Sequence, residues 1–193
     1  MVQFRIVVAK YKEDISWCKS YTTTIYNKGD DYVENAIPLP NIGREAHTYL
    51  YHIVENYDNL DEYTVFLQGN PSDHSRDLHK KLNDISESID VPDYIDLCHQ
   101  LIHATTRICH YDPTLPLSEF DRILFGEMPE REIIFGAGAQ FCVSKRAILS
   151  VPKSTWKYLL ETIHENRGAW VIERFWREIF LSGLGSAPPL KQL

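Results

Sequence analysis

The apolar positions change their period several times along the chain, and the changes predict its elements. Arg5-Ile6-Val7-Val8-Ala9 is a short β-branched run followed by polar Lys10 to Asp14, the pattern of a buried first strand that ends in a loop. Ile15 to Cys18 then opens a helix with Asp14 as its cap. Tyr21 to Tyr26 has strong strand propensity, and Asn27-Lys28-Gly29-Asp30 stops it with turn chemistry. After the loop Pro38 to Gly43, residues Ala46, Tyr49, Leu50, Ile53, Val54 and Tyr57 form a helical stripe over Arg44 to Tyr57. Tyr63 to Gln68 is the next strand, and Gly69 to His74 is the polar loop at its end.

The middle is less regular. Leu78 to Ile89 and Tyr94 to His103 read as helical or mixed, and Pro113 to Pro116 as irregular. Glu132 to Phe135 predicts a strand leading into Gly136-Ala137-Gly138, and Gln140 to Ser144 another, with Ser144 capping a short helix through Leu149. Ser154 to Glu165 and Trp170 to Phe180 are amphipathic helices, and the segment from Ser182 through Pro189 has linker composition. Strand–helix alternation in the first half predicts an α/β domain with a largely parallel sheet covered by helices. The expected division is one domain over residues 1–181 and a flexible tail over 182–193.

Composition narrows the function classes. The 193 residues carry 20 Lys+Arg against 27 Asp+Glu, a formal charge of −7, which argues against a non-specific nucleic-acid binder. The 44% hydrophobic and 24% charged content is that of a soluble globular chain. No apolar run approaches the ~18 residues of a membrane span. The four cysteines are scattered without a CxxC pair, and Met1 to Arg5 shows no signal-peptide pattern, so free thiols and a cytoplasmic location are expected.

In open α/β sheets ligands bind beyond the carboxyl ends of the strands. Three polar loops fall there: Ala9 to Asp14, Asn27 to Asp31, and Gln68 to His74. The strand and loop Val7 to Asp14 resemble the opening segment of GT-A nucleotide-sugar glycosyltransferases, a hydrophobic run followed by Tyr-Asn-Glu. Asn41-Ile42-Gly43-Arg44-Glu45-Ala46 is similar to their Asn-x-Gly loop, and Gly136 to Ser144 to their glycine-rich acceptor-side segment. Val65 to Asn70 lies where that fold carries a strand ending in Asp-x-Asp, and Trp170 to Arg174 where an x-Glu-Asp segment supplies a base. The combination IYNKGD, LPNIGREAHTYL, VFLQGNPSDH and GAGAQFCVSK also resembles a family of uncharacterised fungal and bacterial proteins. It is similar, too, to a glycosyltransferase domain of large algal viruses that glycosylates the capsid, which would place the chain in a host cytoplasm.

The resemblance implies a GT-A-like, Rossmann-related fold. It implies transfer of a sugar from a UDP-type donor to a hydroxyl of a glycan or glycoprotein acceptor, with Mn²⁺ or Mg²⁺ as cofactor. Ala9, Tyr11 and Glu13 would lie near the nucleoside, Lys28 and Arg44 near the diphosphate, Gln68 and Asn70 at the donor loop, and Glu173 would act as base. One departure stands out: Gln68-Gly69-Asn70 occupies the Asp-x-Asp position without a carboxylate. Asp73 is the nearest acid, and His74 beside it would favour Mn²⁺. These two are the candidate metal ligands, with Asp73 also counted among the catalytic residues.

Each assignment has a plainer rival. Asp73 reads equally as the N-cap of a helix from Ser75 to Lys81. Arg44 would also serve in a surface ion pair with Glu45, Tyr11 in packing, Asp30 or Asp31 as solvated turn acids instead of partners of uracil or ribose, and Glu173 in an i,i+4 pair with Arg177. Cys98-His99, His103 and Cys109-His110 contain zinc-type residues, with His99 and His103 on one helical face, though in no standard finger spacing. A non-catalytic carbohydrate-binding or interaction domain on the same fold is the chief alternative function, and a metal-dependent hydrolase using the His-rich middle is the remoter one.

Overall fold

The structure is a computed structural model, and it describes residues 2–126, 128–163 and 166–182. Phe4–Lys10 forms β1, Thr23–Asn27 β2, Ile37–Pro38 β3 and Tyr63–Gln68 β4, with the helix α1 (Arg44–Asn56) between β3 and β4. β5 (Tyr94–Asp96) and β8 (Phe141–Ser144) complete a six-stranded sheet of order β3-β2-β1-β4-β8-β5. β1, β2, β3 and β4 run parallel, whereas β8 is antiparallel to both β4 and β5. β6 (Leu101–Thr105) and β7 (Glu132–Gly136), with the helix α3 (Leu117–Phe125) between them in sequence, pair as a separate antiparallel ribbon. The fold is therefore mixed α/β with a mostly parallel main sheet, as the strand–helix alternation predicts.

The central strands read as continuous apolar runs because both faces of the sheet are covered. Val7, Phe66, Phe141 and Val143 point into the larger core, against α1, α5 (Lys153–Thr162) and α6 (Asn166–Ser182). Ile6, Val8, Val65, Leu67 and Cys142 point the other way, against Leu78, Leu82 and Ile85 of α2 (Leu78–Glu87). Trp156 and Trp176 are fully buried in the larger core, within an aromatic cluster that includes Tyr49, Phe66, Phe141 and Phe180. All four cysteines are buried free thiols.

Several local expectations change. Ser16–Cys18 is a single 3₁₀ turn, and Asp14 braces it by accepting from the Ser16 amide at 2.9 Å and hydroxyl at 2.8 Å. Tyr94 to His103 is not helical: it contributes one strand to each sheet, because β8 and β7 supply partners that a short apolar run cannot announce. His99 and His103 consequently share no helical face. The His99 ring bonds the His74 carbonyl at 2.6 Å, and His103 pairs with Glu132 at 2.7 Å. Asp73 does not cap a helix over Ser75 to Lys81, since it sits inside the 3₁₀ turn Pro71–Asp73 and α2 begins at Leu78 after Asp77. Ser144 caps α4 (Lys145–Leu149) as expected, its Oγ accepting from the Ala147 amide at 3.0 Å. The predicted tail from residue 183 onward lies outside the described residues. Among the described residues no helix is long and apolar enough to cross a membrane.

Candidate functional site

From β1 the chain moves outward to β2 and β3, then returns through α1 to β4 on the other side of β1. This reversal makes a crevice at the carboxyl ends of β1 and β4, the place where open α/β sheets hold ligands. A cavity of about 220 Å³ lies there, lined by Ala9, Lys10, Tyr11, Glu13, Lys28, Asn41, Arg44, Glu45 and Gln68. Four separate segments thus converge, and six residues expected at the donor site (Ala9, Tyr11, Glu13, Lys28, Arg44, Gln68) line the same cavity.

The charges are arranged unevenly. Lys10 is buried but neutralised, its Nζ donating to Asp31 at 2.6 Å. Lys28 is buried as well, yet its Nζ donates to backbone carbonyls: Ile42 O at 2.6 Å and Arg44 O. Loss of water pulls the Lys28 ammonium down to about 8, only partly offset by the nearby Glu45. Glu45, in the first turn of α1, is pushed up to about 7 by burial, with the field of Glu173 adding to the rise and Arg44 and Lys28 opposing it. Arg44 is half exposed, 3.6 Å from Glu45, with its guanidinium 6.0 Å from the Trp170 ring.

Backbone geometry places Arg44. Gly43 (φ +57°) and Arg44 (φ +49°) are both left-handed, so the chain turns sharply into the helix. A Cβ on Gly43 would lie 2.5 Å from the Ile163 carbonyl oxygen, which makes glycine obligatory on space as well as on φ.

A second group stands beside the cavity. The Gln68 side chain donates to Gly138 O at 2.9 Å, and the Gly138 amide donates to Glu173 Oε1 at 2.8 Å. Arg174 donates to the other Glu173 oxygen at 2.7 Å and lies 4.9 Å from the Phe135 ring. Glu173 is therefore a nearly buried carboxyl with a donor on each oxygen, not a solvent-facing helical acid paired to Arg177. Arg177 instead bonds Asp96 at the end of β5. Gly138 (φ +80°) has the His74 ring packed where a Cβ would stand.

Other expected residues fall elsewhere. Asn70 and Asp73 are exposed and bond each other, Nδ2 to Oδ1 at 2.9 Å, outside the cavity lining. Glu13 Oε2 accepts the Tyr11 and Lys12 amides at 2.7 and 3.1 Å and packs against Gly69, so the acid shapes the crevice floor. Asp30 is exposed and Asp31 belongs to Lys10. Among the described residues no group of three or more His, Cys, Asp or Glu side chains converges as metal ligands, at Asp73–His74 or in the His-rich middle. Glu45 and Arg174 are the functional candidates that sequence reasoning passed over. Their types are ordinary for helix surfaces, and only their burial marks them.

The chain matches, over residues 6–191, the family described as "Protein of unknown function (DUF3431)", and it belongs to that family. No curated protein matches it. No solved structure matches it either.

Proposed function

We propose that this protein is a glycosyltransferase that moves a sugar from a nucleotide-diphosphate donor of UDP type to a hydroxyl of a glycan. The observation that carries the reading is the crevice at the reversal of strand order. Buried cationic Lys28 and half-exposed Arg44 stand on one side of it, and the oriented carboxyl of Glu173 is tied to it through Gly138 and Gln68. In the reaction the acceptor oxygen bonds to the anomeric carbon as the bond from that carbon to the diphosphate oxygen breaks. The acceptor proton passes to a carboxylate, the role given to Glu173, and the nucleoside diphosphate leaves. Tyr11, exposed and lining the cavity, is given the role of covering the nucleoside. Trp170, exposed beside Arg44, is given the role of an acceptor contact.

The test is release of nucleoside diphosphate from a panel of UDP- and GDP-sugars, with and without Mn²⁺, in the presence of oligosaccharide acceptors. Turnover with at least one donor is expected, and Glu173→Gln should lower it by about 10²-fold or more, the usual contribution of a positioned base. Oligosaccharide binding without turnover of any donor would instead favour a non-catalytic carbohydrate-binding domain.

A further inference from the structure

The crevice also bears on how a diphosphate would be neutralised, an inference that rests on the glycosyltransferase reading and sharpens it. An ammonium carries three N–H donors. Lys28 spends two of them on the carbonyls of Ile42 and Arg44, and no carboxylate among the described residues forms an ion pair with it. A buried cation without a counter-ion is costly, and an anion in the adjoining space would remove that cost. Lys10 makes the contrast, because Asp31 already neutralises it.

Two more features face the same space. Arg44 stands at its rim with a guanidinium free to swing, tied by one ion pair at 3.6 Å. The first turn of the thirteen-residue α1 also begins here, with the positive end of the helix dipole and no side-chain cap at Gly43. At about 220 Å³ the cavity is smaller than the ~300–1,000 Å³ of drug-sized sites, so it suits a diphosphate more than a whole nucleotide. The acids on this wall are Glu13 and Glu45, both already engaged: Glu45 sits 3.6 Å from Arg44 in the first turn of α1. Gln68, Gly69 and Asn70 end β4, Glu13 spends an oxygen on two loop amides, and Asp73 lies outside the lining.

The geometry points to a diphosphate site in which Lys28, Arg44 and the first turn of α1 neutralise the anion directly, without a divalent ion held by protein carboxylates. Glu45 is the group opposed to the ligand, a buried acid on the cavity wall that the anion must either face or see protonated.

Calorimetric titration of the full chain with UDP and with inorganic pyrophosphate, once in EDTA and once in Mn²⁺, decides the matter. Both anions are expected to bind in EDTA. Arg44→Ala, a change at a half-exposed side chain, should weaken both by about tenfold or more, the loss of one charge-assisted contact. Glu45→Gln should tighten both, and Asp73→Ala should leave both unchanged. Melting curves of each variant identify any that fails to fold, the main risk for Lys28→Met, which strands two carbonyls. Binding that requires Mn²⁺ and disappears in Asp73→Ala overturns this inference while leaving the glycosyltransferase reading in place. Absence of UDP and pyrophosphate binding under both conditions overturns the two together.

Discussion

At the scale of single residues, Glu45 and Lys28 are buried charges kept at a cost to stability. The acid titrates at about 7 in the folded protein against 4.5 in an open chain. The folded state therefore binds more protons than the unfolded state between these values, and stability falls as pH rises through them. The swing is on the order of 3 kcal/mol. Lys28, brought down to about 8 from 10.5, has the opposite imbalance above pH 8: the unfolded chain binds more protons, and stability recovers as pH rises further. Glu45→Gln is accordingly expected to raise the unfolding midpoint in urea at pH 8 and to match the parent near pH 4.5. A variant less stable than the parent at pH 8 would show that Glu45 is held by partners stronger than those described here. Among the described residues Lys28 forms no ion pair, so the site sets a buried cation near a protonatable acid at a cost to stability.

At the scale of elements, the turn from β7 into β8 joins the sheet to α6. Gly138 donates to Glu173 on the helix and accepts from Gln68 at the end of β4, and its left-handed φ leaves its bare face against the His74 ring. Gly138→Ala meets both a strained backbone and a ring in its path, and should lose about 1–3 kcal/mol. Thermal melts read that loss. Under the proposed function, a donor assay should show turnover falling further than the melt predicts, because the shifted backbone moves the amide that orients Glu173. An alanine variant with full activity and an unchanged midpoint would remove Gly138 from the site. The glycine pair Gly136 and Gly138 was legible in the sequence as a special turn. Its three-way connection was not, since each bond partner lies at least 35 positions away. Likewise α1 and β4 are legible almost to the residue from their strong periods, whereas β5 and β6 are defined by partners β8 and β7 and carry too few residues to show a period of their own.

At the scale of the whole molecule, a third buried titratable group acts against Glu45. His52 is held near 4 by burial, with its Nδ1 3.0 Å from the Tyr26 hydroxyl, joining α1 to β2. Its folded pKa lies below 6.5, so its contribution is present above pH 6.5 and lost as pH falls toward 4. Between about 4.5 and 6.5 the Glu45 and His52 slopes are opposed and of similar size, about 3 kcal/mol each over their full ranges. Stability of the parent should thus change little across this window in urea titrations. Glu45→Gln should expose the His52 slope as a fall on acidification, and a level profile in that variant would refute the assignment.

The sequence by itself determined the strands and helices with strong periods, the mixed α/β class, and the three polar loops at strand ends. These depend on local sterics and on which faces must be buried, and both are written into neighbouring residues. It also placed Lys28 in a loop, Arg44 at the start of a helix and Gln68 at the end of a strand, positions that would meet once the strand order was fixed. Tertiary structure alone decided that Glu45 is buried near a lysine held by backbone carbonyls, that Asp73 stays outside with Asn70, and that Glu173 is bound through Gly138 to Gln68. Burial and the identity of a charge's partner depend on which distant segments close over it. Segments from four parts of the chain must pack before any of these groups acquires its electrostatic surroundings.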